Sequence, residues 1–163
     1  MNRIVLSGAL LVVACASKRD AATHTPKAPK YTVGKPGSGW SPQSPGSADH
    51  AWFHKELSAT IYTSSACGAR YEDGKLEDLS KHLTFGIATG DPIREEHTRL
   101  DNRAALIRVW PGALDGIGVQ VGTAVTKKNA CLYDILYVAP PATFDRGWPD
   151  FVQVVEGFSV DGR

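Results

Sequence analysis

Three cysteines, five histidines and a scatter of carboxylates are the side chains in this 163-residue chain that could do chemistry. Cys67 and Cys131 form an even pair once Cys15, at the end of an apolar N-terminal run, is set aside. In an oxidising compartment the economical reading of such a pair is a disulfide. It would close a loop of about 64 residues and stabilise the fold by about 4 kcal/mol in the chain-entropy model. Two buried free thiols are the alternative, and a cysteine nucleophile would need an activating imidazole that is absent nearby in sequence. His50 and His54, beside Asp49 and Glu56, have a spacing that would hold zinc on a helix. They fall in a segment that reads as a strand, where four residues separate them by about 13 Å, so no metal site is expected. Asp78 and His82 read as a surface pair on a helix rather than a catalytic dyad. Gly116-Ile117-Gly118 with Gly122 lies inside a strand, which removes the dinucleotide and phosphate reading. No cofactor is implied.

The most specific signal sits at the N-terminus. Met1-Asn2-Arg3 is a short basic leader, Ile4 to Ala14 is an apolar run, and Lys18-Arg19-Asp20 follow at once. A membrane span needs about 20 apolar residues, so this run matches a processed signal instead. It ends in Val12-Val13-Ala14-Cys15, which resembles the lipobox of bacterial lipoproteins. The resemblance implies a signal peptide over 1–14, cleavage before Cys15, and a diacylglyceryl group on the Cys15 thiol. An ordinary secretory signal with an incidental cysteine is the alternative. Acyl chains would anchor the chain to a membrane without spanning it. By similarity to the enteric sorting pattern, Ala16 rather than Asp after the cysteine points to the outer membrane of a bacterial cell envelope.

Behind the anchor the composition changes. Five of the ten prolines (Pro26, Pro29, Pro36, Pro42 and Pro45) fall between residues 16 and 46, a stretch with almost no aliphatic side chains. Such a segment cannot bury enough apolar surface to offset ordering, and residues 15–38 are expected to be a disordered tether ahead of one domain over 39–163. Residues 16–46 carry Lys18, Arg19, Lys27, Lys30 and Lys35 against Asp20, whereas 47–163 hold 12 basic and 16 acidic residues. The lysines keep the tether solvated, and beside an anionic leaflet each nearby cation could add about 1 kcal/mol. With a formal net charge of +1, a dedicated nucleic-acid partner is excluded.

The elements that must position the cysteines and histidines follow from pattern. Strands are expected over 51–55 and 59–64 as a hairpin, and a helix over 75–87 from Leu76, Leu79, Leu83 and Ile87. Four further strands are expected over 93–100, 104–110, 117–126 and 131–139. The turns at Asp101-Asn102, Leu114-Asp115-Gly116 and Lys128-Asn129 favour antiparallel pairing. Pro140-Pro141 is expected to end the sheet and Trp148-Pro149 to open a final helix with Phe151, Val154, Val155 and Phe158 on one face. The expected fold is α+β: an antiparallel sheet of about five to six strands with an internal and a C-terminal helix packed on it.

The runs Leu100-Asp101-Asn102-Arg103-Ala104-Ala105-Leu106, Leu114-Asp115-Gly116-Ile117 and Lys127 to Asp134, then Ala139-Pro140-Pro141 and the closing helix, resemble uncharacterised proteobacterial lipoproteins. Those in turn are similar to the PsbP/Mog-type fold. The resemblance implies a binding or assembly accessory without catalysis, working on an unknown envelope protein, peptide or lipid. Trp110, Pro140, Pro141 and Trp148 form the expected contact region, with ordinary core packing the alternative for the tryptophans. A small periplasmic hydrolase is the competing function, and it would require His82 or His97 to meet acidic residues in a cleft.

Overall fold

The computed structural model describes residues 30–161. The leader, Cys15 and most of the expected tether lie outside the described residues. The order of elements is β1 (Tyr31–Thr32), β2 (Trp40–Pro42), β3 (His50–His54), β4 (Ala59–Cys67), a 3-10 turn (Ala69–Tyr71), α1 (Leu76–Leu83), β5 (Arg94–Leu100), β6 (Arg103–Leu114), β7 (Ile117–Lys128), β8 (Cys131–Ala139), α2 (Pro141–Glu156) and β9 (Ser159–Val160). Seven strands form one antiparallel sheet in the order β2-β3-β4-β8-β7-β6-β5, and β1 pairs with β9 in a two-stranded ribbon. The α+β expectation holds, with a wider sheet than the five to six strands expected.

Three hairpins build the centre. Asp101 and Asn102, Asp115 and Gly116, and Asn129 and Ala130 all have positive φ, the two-residue turn that matches strand twist. These turns set a register in which side chains alternate strictly between the faces. Ile107, Val109, Ala124, Ile135 and Tyr137 join Phe144, Phe151, Val154 and Val155 of α2 in one core. The residues between them, Leu106, Trp110, Val121, Val125, Leu132 and Leu136, pack with Leu76, Leu79 and Leu83 of α1 and with Ile87. The two helices therefore cover opposite faces, and both cores close within residues 30–161, so this segment carries everything needed to fold by itself.

Three expectations change. The tether does not run to residue 38. Tyr31 and Thr32 pair with Val160 and Ser159, Tyr31, Val33 and Trp40 pack on the α2-side core, and the Gly37 N–H and Trp40 Nε1 donate to the Asp150 carboxylate at 3.0 and 2.9 Å. Two aromatic anchors outweigh the proline content of this stretch. Helix α1 ends at Leu83, because Thr84 leaves the helix and Ala88 bridges to Gly112 along the edge of β6. Helix α2 begins at Pro141, seven residues before Trp148. Pro140 is its N-cap and Pro141 fits the first turn, where a missing N–H costs nothing, while Pro149 lies inside the helix on its exposed side.

The sheet edges are guarded. Strand β5 reads Arg-Glu-Glu-His-Thr-Arg-Leu, and β2 is three residues long and ends in Pro42, so neither invites another strand.

Candidate functional site

The sequence-derived site residues separate in space. Cys67 and Cys131 are directly paired across β4 and β8, with Cα atoms 4.0 Å apart, and are disulfide-bonded. Trp110 is only 3% exposed, on the α1 side of β6. Trp148 lies on α2 on the other side of the sheet, packed at tilted angles among Tyr137, Phe144 and Phe151. The expected contact region of Trp110, Pro140, Pro141 and Trp148 is therefore not one surface. Strand alternation puts the two indoles on opposite faces, and Pro140 and Pro141 serve as the start of α2.

The histidines do not converge either. His50 and His54 flank Trp52 on β3; His50 stacks on Trp52 and His54 meets Trp40 edge-on. His97 lies 3.2 Å from Glu95 on the exposed edge strand, and His82 is exposed on α1. Among the described residues no group of three His, Cys, Asp or Glu side chains is placed to hold a metal ion.

Polar groups instead fasten the elements together. The Arg108 guanidinium bonds Glu95 of the neighbouring strand at 2.6 Å and donates to the Glu77 carbonyl at the start of α1. Its hydrogen bond, and then its charge, hold the Glu95 carboxyl below the usual carboxylate range. Beneath α1, Ser80 and Thr123 share a buried hydrogen bond of 3.0 Å, and Trp110 Nε1 donates to the same threonine. Asp49 accepts from the Tyr31 and Ser65 hydroxyls at 2.8 and 2.7 Å and so ties the entry segment to β4.

One buried carboxyl has no such duty. Asp134 sits mid-strand in β8 between Ser64 and Val125, is 6% exposed, and has no hydrogen-bond or ion-pair partner among the described residues. Burial pushes its carboxyl up to about 7, and the negative charge of Asp49 adds to the shift. An acid in the middle of Leu-Tyr-Asp-Ile-Leu was the available signal.

Two surfaces at opposite ends of the sheet are open. At the end of the β6–β7 hairpin, Leu114 and Ile117 pair on the α1 face. Ile87 reaches over Gly112 beside them, and Phe85 precedes it in the chain. Phe85 is 89% exposed and Ile117 68%, so large apolar side chains stand open to solvent at this end, the kind of exposure that marks contact sites when it is contiguous. At the other end, where residue 30 enters, two adjoining hollows of about 580 and 210 Å³ share Arg103 and Lys127. Asp73, Lys75, Leu76, Glu77 and His97 line the larger one, and Tyr71, Glu72, Lys128 and Cys131 the smaller. Neither surface was legible in the sequence, because each is assembled from turns far apart along the chain.

No family model and no curated protein matches this sequence. Solved structures do match. LpqN of Mycobacterium tuberculosis, described as involved in cell envelope biogenesis, aligns with a TM-score of 0.58 at 10% identity, covering 85% of this chain and 87% of that one. The cyanobacterial PsbP (CyanoP) of Synechocystis aligns with a TM-score of 0.55 at 13% identity over 76% and 82%. A Pseudomonas aeruginosa protein of unknown function, described as a putative regulator, aligns with a TM-score of 0.54 at 9% identity over 84% and 87%. At these identities the likeness is one of fold, and the fold is PsbP-like.

Proposed function

We propose that this protein is a lipid-anchored accessory of the bacterial cell envelope that works by binding a partner rather than by turnover. The observation that carries the binding reading is the exposure of Phe85, Leu114 and Ile117, with half-buried Ile87 between Phe85 and the hairpin, at the end of the sheet remote from the point where the chain enters. Strand β6 alone puts about 36 Å between the two ends. A tethered domain thus holds its apolar end out toward other envelope components. The partner class is a protein or peptide with an apolar contact surface. The description of LpqN in envelope biogenesis supports the setting.

Anchoring rests on the Val12-Val13-Ala14-Cys15 run; among the described residues no helix is long and apolar enough to cross a membrane. Intact-mass analysis of protein extracted from cells tests this half of the reading. Cleavage before Cys15 with added acyl chains is expected, and an unmodified soluble product contradicts it.

A further inference from the structure

The end at which the chain enters is basic, although residues 47–163 carry more acids than bases. Chain entry is fixed there by Lys30, whose carbonyl accepts from the Asp161 N–H, and by Asp101, which accepts from the Val160 N–H at the β5–β6 turn. Around that turn, the β7–β8 turn and the loop before α1 stand Lys30, Arg70, Lys75, Arg99, Arg103 and Lys127. Lys128 is already ion-paired with Asp101, which leaves Glu72, Asp73, Glu77 and Asp161 as the acids among them, fewer than the six cations. The hydrogen bonds of the cations do not neutralise them: Arg70 donates to the Tyr71 hydroxyl, Arg99 to the Asn102 carbonyl, and Lys127 to the carbonyls of Glu72 and Gly74. The opposite end differs in kind. There residues 85–93 and 109–120 contain Asp91 and Asp115 and no lysine or arginine, while Lys55 adjoins Glu56 in the β3–β4 turn and Arg94 is ion-paired with Asp145 of α2.

We propose that the basic end rests on the anionic headgroups of a phospholipid bilayer, with the hollow between Lys75, Arg103 and Lys127 receiving a headgroup phosphate. Charge selects this occupant over a neutral or acidic protein surface, and the position of residue 30 puts the basic end nearest any anchored N-terminus. The charge asymmetry would also turn the apolar end away from the leaflet. In the cell this orientation rests on the proposed anchor, but the surface itself acts without it, so the two fail separately.

The test uses residues 30–163, which lack the anchor, with vesicles of phosphatidylcholine alone or containing about 30% phosphatidylglycerol, a fraction that gives a negative surface potential. Binding is expected only to the anionic vesicles and is expected to vanish near 0.5 M salt, where the Debye length falls to about 4 Å. Lys75→Glu combined with Arg103→Glu should weaken binding more than about 25-fold, from roughly fivefold per cation removed. Lys75→Gln with Arg103→Gln serves if the reversed pair fails to fold. Lys55→Glu with Lys81→Glu, away from this end, should leave affinity unchanged. Equal binding to neutral vesicles, no binding to either, or equal losses in the two paired variants would overturn the proposal.

Discussion

Trp110 and Trp148 stand on opposite faces of the same sheet, separated by a single strand position. Val109, next to Trp110, pairs with Gly122, and a Cβ at Gly122 would lie 2.8 Å from Trp148 Cζ3. One indole supports α1 and the other is part of α2's contact with the sheet, so both belong to the packing of the domain. Trp110→Ala should therefore destabilise the domain by about 3–5 kcal/mol, as deletion of a buried aromatic does. Gly122→Val should be destabilising as well, because Trp148 cannot yield without disturbing Phe151 and Phe144. Urea unfolding of each variant checks this; a change within about 0.5 kcal/mol, ordinary for surface positions, would contradict it.

Removing the bridge, by Cys67→Ser with Cys131→Ser, should cost about 4 kcal/mol, from the 64-residue loop it closes. Thermal melts of the oxidised protein and the double variant measure the difference. Peptide mapping of freshly exported protein should recover the two cysteines linked, and recovery of both as free thiols would refute the pairing.

Asp134 gives the domain a pH dependence of defined sign. Its carboxyl titrates near 7 when folded and near 4 when unfolded, so the folded state keeps a proton that the unfolded state has lost. Stability should fall as pH rises from about 4 to 7 and level off above that, a loss of order 3–4 kcal/mol from this group. Asp134→Asn should flatten that slope and be more stable than the parent at pH 8. A variant equally or less stable than the parent at pH 8 would show that the carboxylate finds a partner.

Tyr133 carries the other unmatched polar atom. Its ring packs between Tyr31 and Phe158, but its hydroxyl is buried without a hydrogen-bond partner among the described residues. Tyr133→Phe should thus be neutral or stabilise by about 1 kcal/mol, against the loss expected if the hydroxyl were bonded. Chemical denaturation reads the sign directly.

How far the sequence could be read follows from the range of each signal. The three hairpins were visible because the Asp-Asn, Asp-Gly and Lys-Asn signals and the alternation of β7 are local, although the third turn falls one residue later, at Asn129-Ala130. The cysteine pair was visible from parity and compartment. The start of α2 was misplaced because Pro140-Pro141 signals an ending and a beginning equally well. The entry segment was misjudged because its order comes from Asp150 and Phe158, more than a hundred residues away. The tryptophans were grouped by residue type, whereas the parity of the strand separates them.

Binding through the Phe85–Ile117 end is the account's central claim, and site-specific photocrosslinking in intact cells tests it most directly. A photoreactive side chain at position 117 should give a discrete adduct, which Phe85→Asp should abolish while leaving the melting temperature unchanged. The same probe at position 156, on the exposed side of α2, should give none. Adducts that are identical from positions 117 and 156, or that persist at full yield in Phe85→Asp, would contradict the claim.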